Sequence, residues 1–184
     1  VVAAASFAYP PDVRQQVLDL AQGRAQIALD TLGALDVRIG RAFAAAAKQL
    51  LADSGIATGS IVAIGSHGQT VRHRPRADPP FTLQLGDPAS IAEATGLTTV
   101  ADFRRRDVAA GGEGAPLAPG FHAAILASAS ESRAVLNLGG IANFTLLPAA
   151  AAQSVRGFDT GPANCLLDAW VSQRLALPCD AGGT

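Results

Sequence analysis

Ile61-Val62-Ala63-Ile64-Gly65-Ser66-His67-Gly68 is an unbroken apolar run that ends in a glycine-flanked polar loop. Apolar side chains at consecutive positions predict a strand buried on both faces, as in a parallel sheet covered by helices. The sequence upstream fits that reading. Tyr9-Pro10-Pro11-Asp12 predicts a turn into a helix, and Val13, Val17, Leu18 and Leu20 follow at helical spacing as far as Gly23. A second helix is predicted from about Ile27 to Ser54, with Gly33 and Gly40 as breaks or kinks and Gly55 as its cap.

Downstream, Phe81 to Leu85 alternates as a strand, and Asp87-Pro88 opens a helix that Gly96 closes. Leu97 to Ala101 predicts another buried strand, delivering Asp102 at its carboxyl end. Arg104 to Pro116 reads as a charged, glycine-containing loop and Pro119 to Ala129 as a helix. Ala134–Leu138 and Ile141–Leu147 are predicted strands joined by a hairpin-length Gly139-Gly140 turn. After a small loop at 149–154, Val155–Phe158 predicts a short strand that delivers Asp159. Pro162 to Leu175 then reads as a helix with Leu166, Leu167, Trp170 and Val171 on its buried side. Helices alternating with buried strands, plus one hairpin, indicate an α/β fold with a mixed sheet. Ligands of such sheets sit beyond strand carboxyl ends, which singles out the loops 65–70, 102–116 and 159–164.

Composition sets bounds on function. The chain has 184 residues, 49% of them apolar, and 14 basic residues against 15 acidic, for a net charge of −1. That length suits one ordinary domain with a real core. Near-neutrality argues against nucleic-acid and anionic-membrane surfaces, and a mean hydropathy of +0.26 argues against disorder. No apolar run approaches the roughly 18 residues of a spanning helix. Val1–Ala5 lacks the basic residues of a signal peptide. With no Met present, the chain is not expected to begin at a natural start. Thirteen Arg to one Lys, with abundant Ala, point to a GC-rich bacterial genome. Cys165 and Cys179 read as reduced cytoplasmic thiols, and His73 and His122 lack metal-ligand spacing, so no metal site is expected.

Three constellations carry chemistry. Asp159-Thr160-Gly161-Pro162-Ala163-Asn164 places a carboxylate at a strand end beside a helix N-terminus. Free N–H groups there favour an anion, and the carboxylate could take a proton from a nucleophile; equally, Asp159 or Thr160 could simply cap the helix. Asn137-Leu138-Gly139-Gly140-Ile141-Ala142-Asn143 could cradle a phosphate on backbone N–H groups, or be a plain tight turn. Asp102-Phe103-Arg104-Arg105-Arg106-Asp107 with Gly111-Gly112-Glu113-Gly114 is either an anion-binding loop or a salt-bridged surface. The glycines there imply unusual backbone angles. Gly65-Ser66-His67-Gly68 lacks the spacing of a nucleophile elbow.

Six motifs in order carry a family resemblance: Gly65-Ser-His-Gly-Gln-Thr70, Leu85-Gly-Asp87, Ala101-Asp-Phe-Arg104, Asp107 through Leu117, Asn137 through Asn143, and Gly157-Phe-Asp-Thr-Gly-Pro162. Over nearly all its length the chain resembles the anhydro-N-acetylmuramic acid kinases of bacterial peptidoglycan recycling. The resemblance implies a ribonuclease-H-like mixed sheet with flanking helices, one lobe of a two-lobe actin-like ATPase fold. It implies an enzyme that opens the 1,6-anhydro ring with water and phosphorylates O6, giving N-acetylmuramate 6-phosphate and ADP. ATP and Mg²⁺ are the implied cofactors, the cytoplasm the location, and a homodimer the suggested assembly. Asp159 would be the general base that activates the water. Gly139, Gly140 and Asn143 would border the ATP phosphates, with Gly161 and Asn164 near them. His67, Gln69, Asp102 and Arg104 would face the sugar.

The sequence also departs from the family. The first strand and its glycine-rich phosphate loop are expected to be missing, as is the second lobe, so residues 1–184 read as a partial N-terminal, sugar-binding lobe with little activity alone. Ala163 stands where the family usually has Gly, and Glu113 where it often has Gln. Two other functions stay open at this stage: a non-catalytic anhydro-sugar-binding or regulatory module, and a related kinase acting on a different sugar.

Overall fold

The computed structural model describes residues 1–24, 26–149 and 153–180. They form two compact units, Val1–Gly114 and Ala115–Thr184, where length alone pointed to one. Both are α/β in character with flanking helices; the first has one parallel and one antiparallel strand pair, the second antiparallel pairs.

The first unit opens with two helices, α1 (Pro11–Ala21) and α2 (Leu29–Ser54). Val13, Val17 and Leu20 of α1 meet Leu35 and Ile39 of α2 in a core that also takes in Val71 and Leu85, with Tyr9, Phe43 and Leu83 packed against it. Arg38 of α2 bonds Asp12 of α1, and that hydrogen bond holds the Asp12 carboxyl below its ordinary pKa. Helix α2 is unbroken over 26 residues, Gly33 and Gly40 included. Its end is the expected one, Gly55 in the left-handed region at φ 66°. Gly40 serves close approach rather than a break: a Cβ there would lie 2.6 Å from the Asp87 carbonyl oxygen.

The strands of this unit are shorter than the sequence predicts. The run Ile61–Ile64 contributes only β1 (Ile64–Gly65), parallel to β4 (Thr99–Val100), the remnant of the strand expected over Leu97–Ala101. Val62 is 93% exposed and Val100 53%. A strand reads as doubly buried only when layers cover both faces; among the described residues β1 and β4 have only each other in their sheet. A separate antiparallel pair, β2 (Gln69–Arg74) and β3 (Phe81–Leu85), leads into α3 (Pro88–Thr95). Asp87 caps α3 as expected, accepting from Ala89 N and Ser90 N at 3.1 and 3.0 Å.

The predicted loop 104–116 is half helix. α4 (Phe103–Ala109) follows Asp102, whose φ of 58° is rare for a non-glycine residue. Arg and Ala are good helix formers, and nothing between 103 and 109 breaks the turn. The glycines act only afterwards. Gly111 and Gly114 have φ of 91° and 71°, and the Asp107 carboxylate accepts from Gly114 N at 2.7 Å.

The second unit contains α5 (Ala118–Leu126), β5 (Arg133–Leu138), β6 (Ile141–Leu147), β7 (Arg156–Pro162) and α6 (Asn164–Leu175). The three strands form an antiparallel sheet with β6 in the middle. Ala142, Thr145 and Leu147 of β6 are buried, and the His122 ring of α5 hydrogen-bonds Thr145 Oγ1 at 2.9 Å. α5 stops at Leu126, three residues before its predicted end. Strand β7 runs past Phe158 and carries Asp159 through to Pro162, so α6 starts at Asn164, not Pro162. The helical spacing of Leu166, Leu167 and Trp170 is real, but all three are exposed and no residue of α6 is buried. An apolar stripe predicts burial only where a neighbour is packed on it. Arg174 stacks 4.6 Å above the Trp170 ring. Residues 150–152 of the predicted 149–154 loop lie outside the described residues. Among the described residues no helix is long and apolar enough to cross a membrane.

Candidate active site

In the second unit the sheet register places three polar residues in one row. Asn137 of β5 stands opposite Asn143 of β6, which stands opposite Asp159 of β7. Directly opposed residues share a sheet face, so these side chains stand side by side. An irregularity between Ala142 and Asn143 resets the register there; without it the partners on β7 would shift by one and the alternation would put Asp159 on the other face. Asp159 is exposed and, among the described residues, takes no hydrogen bond or ion pair. It does not cap α6, whose preceding residue Ala163 offers no side-chain cap. Thr160 does not cap it either, because its hydroxyl donates to Ala142 O at 3.1 Å.

The adjoining Gly139-Gly140 turn uses its carbonyls on α6. Gly140 O accepts from Ala163 N and Cys165 N at 2.9 and 3.1 Å, and Gly139 O from Asn164 N at 3.1 Å. The expectation that these helix N-terminal amides are free for an anion is therefore corrected: the hairpin carbonyls occupy them. Asn164 is committed as well, its side chain donating to Leu138 O at 2.9 Å. What remains for a phosphate is the pair of N–H groups of Gly139 and Gly140, which take no backbone partner among the described residues, and the nearby Asn137 amide. A Cβ on Gly139 would lie 3.5 Å from Asn137 Nδ2. Asn137 opens the glycine-turn motif of the sequence but was given no role of its own there; the signal was one amide interrupting an apolar strand. Gly161, at φ 141°, pairs with Ala142 where the row ends.

In the first unit a cavity of about 150 Å³ gathers part of the predicted sugar set. His67 and Asp102 line it, with Ser66, Gln84, Asp36 and Arg105. Gln69 and Arg104 are not among its lining residues. Arg105, not Arg104, approaches Asp102, at 3.7 Å. Gln69 is held elsewhere by the Tyr9 hydroxyl, which donates to its Oε1 at 3.4 Å; burial raises the Tyr9 pKa. His67 Nδ1 lies 2.7 Å from Gly68 O, and its ring packs on Phe103.

Two buried oxygens at the cavity, Ser66 Oγ and Gln84 Oε1, have no hydrogen-bond partner among the described residues. Buried polar atoms are nearly always paired, so these are points where a polar ligand would gain contacts. Ser66 belongs to the 65–70 loop that the sequence singles out, with no role of its own there; Gln84 was missed, because a Gln inside a strand carries no pattern. The charge at Glu113 is balanced by Arg76 at 2.8 Å, and Ala163 has φ −127° and ψ −110°, neither helical nor extended. His73 bonds Thr82 at 3.1 Å, and both cysteines are free and exposed.

The anhydro-N-acetylmuramic acid kinase family model matches residues 1–184. Curated relatives of that name include those of Xylella fastidiosa, 62% identical over 183 residues, and Xanthomonas axonopodis pv. citri, 59% identical over 183 residues. A third, from Saccharophagus degradans, is 50% identical over 186 residues. Each match covers 100% of this chain and 48–49% of the relative, so the chain spans about half the length of the curated relatives it matches.

Proposed function

The chain belongs to the anhydro-N-acetylmuramic acid kinase family, and from that premise we propose that the protein carrying it opens 1,6-anhydro-N-acetylmuramic acid with water and phosphorylates O6 from ATP. The observation that carries this reading is the row Asn137–Asn143–Asp159 beside the Gly139-Gly140 turn. Among the described residues the exposed Asp159 carboxylate has no cation or donor bound to it, which leaves it available as a base. Two backbone N–H groups without a backbone partner among those residues, and an amide nearby, suit phosphate oxygens.

In this mechanism Asp159 takes a proton from the water that attacks the anomeric carbon. The C1–O6 bond breaks, O6 takes the γ-phosphoryl group, and ADP leaves. Gly139, Gly140 and Asn137 steady the phosphates, with Asn143 beside Asp159; Gly161 and Asn164 shape this corner. On the sugar side, His67, Asp102, Ser66 and Gln84 offer the hydroxyls, acetamido group or carboxylate of the sugar a polar wall. Gln69 and Arg104 belong to the same reading as outlying contacts. Among the described residues no three His, Cys, Asp or Glu side chains converge into a metal cage. A magnesium ion arriving with ATP would be held largely by phosphate and water, and no step here is routed through it. A ribonuclease-H-like lobe of an actin-like fold, a cytoplasmic location and a homodimer form part of the same reading.

A coupled ADP-release assay on the full-length protein tests it. ADP should appear only when the anhydro sugar is present. Asp159→Asn should lower turnover by about a thousandfold while sugar affinity, by calorimetry, stays close to that of the parent. Equal turnover in the two proteins would remove Asp159 as the base; an ordinary hexose phosphorylated in place of the anhydro sugar would point to a different kinase.

A further inference from the structure

We propose that Asp36, on α2, is a positioning residue that sets the shape of the His67–Asp102 cavity, and so the affinity for the sugar; this rests on the kinase reading above. Strand β3 ends at Leu85, whose partner is Gln69, the first residue of β2. The next amide, that of Gly86, therefore lies beyond the ladder, on a buried residue, and a buried N–H must find an acceptor. It finds Asp36: Gly86 N donates to Asp36 Oδ1 at 2.6 Å, and Asp87 N donates to the Asp36 carbonyl at 3.2 Å.

Asp36 and Gly40 are four residues apart and so share a helix face. Gly40 lets the same corner approach α2 closely, since a Cβ there would meet Asp87 O at 2.6 Å. On its other flank Gly86 leaves no room, because its Cβ would lie 3.0 Å from the Phe43 ring. The Gly86–Asp87 corner is thus held from α2 by a carboxylate, a glycine and an aromatic ring.

The corner then fixes the wall. Gly68 lies over the residues just before it: a Cβ on Gly68 would come 2.9 Å from Gln84 Cβ and 3.0 Å from Leu85 O. Gly68 and Gly86 both line the cavity, as do His67 and Asp36. Releasing Gly86 would let the end of β3 move, and Gln84 and His67 with it. Asp159 and the Gly139-Gly140 turn belong to the second unit and this corner to the first, so an effect confined to the sugar is the signature of the role.

The test is steady-state kinetics on the full-length protein with Asp36→Ala, Asp36→Glu and Asp36→Asn. Asp36→Ala removes the acceptor and should raise KM for the anhydro sugar about tenfold, with kcat and the KM for ATP within about threefold of the parent. Asp36→Asn keeps an acceptor oxygen and should bring the sugar KM back to within about threefold. Asp36→Glu keeps an acceptor but displaces it, and should give an intermediate rise, which serves the same purpose if the Ala variant does not fold. An unchanged sugar KM in both the Ala and Glu variants overturns the proposal. So does a parallel loss in kcat and both KM values with a lowered Tm, which marks general loosening, or a failure of Asn to rescue. A parent that releases no ADP with the anhydro sugar overturns the kinase reading and this role together, whereas an active parent with an unaffected Ala variant overturns this role alone.

Discussion

Asp87 shows how much one side chain settles locally. Its carboxylate accepts from Ala89 N, Ser90 N and the Ser90 hydroxyl, the last at 2.5 Å, and these bonds, the hydroxyl foremost, hold its pKa below the ordinary aspartate value. A carboxyl whose pKa is depressed on folding stabilises the fold above its unfolded pKa of about 4, and that contribution fades as pH falls through the folded value. Asp87→Ala should therefore cost about 1 kcal/mol at neutral pH, as the loss of a helix cap does. Thermal unfolding from neutral to acid pH checks this: the Tm gap between parent and variant should hold down to about pH 4 and narrow below it. The Asp12 carboxyl, lowered by Arg38, titrates in the same direction, so it is present in both proteins and leaves the gap unaffected.

At the scale of elements, the two glycines of α2 separate intrinsic propensity from packing. Gly33 is exposed, with nothing within 4 Å of an added Cβ, whereas Gly40 is buried against the backbone of Asp87. Gly33→Ala should stabilise by up to about 1 kcal/mol through helix propensity. Gly40→Ala should lower stability on balance, because relieving a clash with backbone costs about 1–3 kcal/mol. Denaturant titration of both variants reads the opposite signs directly. What the sequence made legible follows the same division. Local chemistry was readable: the Pro11 start of α1, the Gly55 and Gly96 caps, the Asp87-Pro88 opening of α3 and the Gly139-Gly140 hairpin all stand where residue types dictate. Features that depend on a neighbour were not. Val62-Ala63 and the stripe of Leu166, Leu167 and Trp170 have the pattern of buried elements and remain exposed. The site divides likewise: Asp159 and the glycine turn came from motifs, but its row with Asn137 and Asn143 needed the strand register, and Asp36 needed the fold.

For the molecule as a whole, the outstanding property is apolar surface. Val62, Phe121, Leu138, Leu166 and Trp170 are each more than half exposed. Exposed apolar residues on this scale mark surfaces that other protein occupies or that drive association, and two-residue strands such as β1 and β4 leave open edges. The 184-residue chain on its own should bind an apolar dye and self-associate as concentration rises. The full-length protein should do neither under the same conditions, with light scattering and dye fluorescence as the measurements. Trp170 gives this surface an optical voice. It is the single tryptophan in the sequence, on an open helix face under the Arg174 guanidinium. Whatever settles on that face dries the indole and moves its emission to shorter wavelength, so the chain announces its own covering without an attached label.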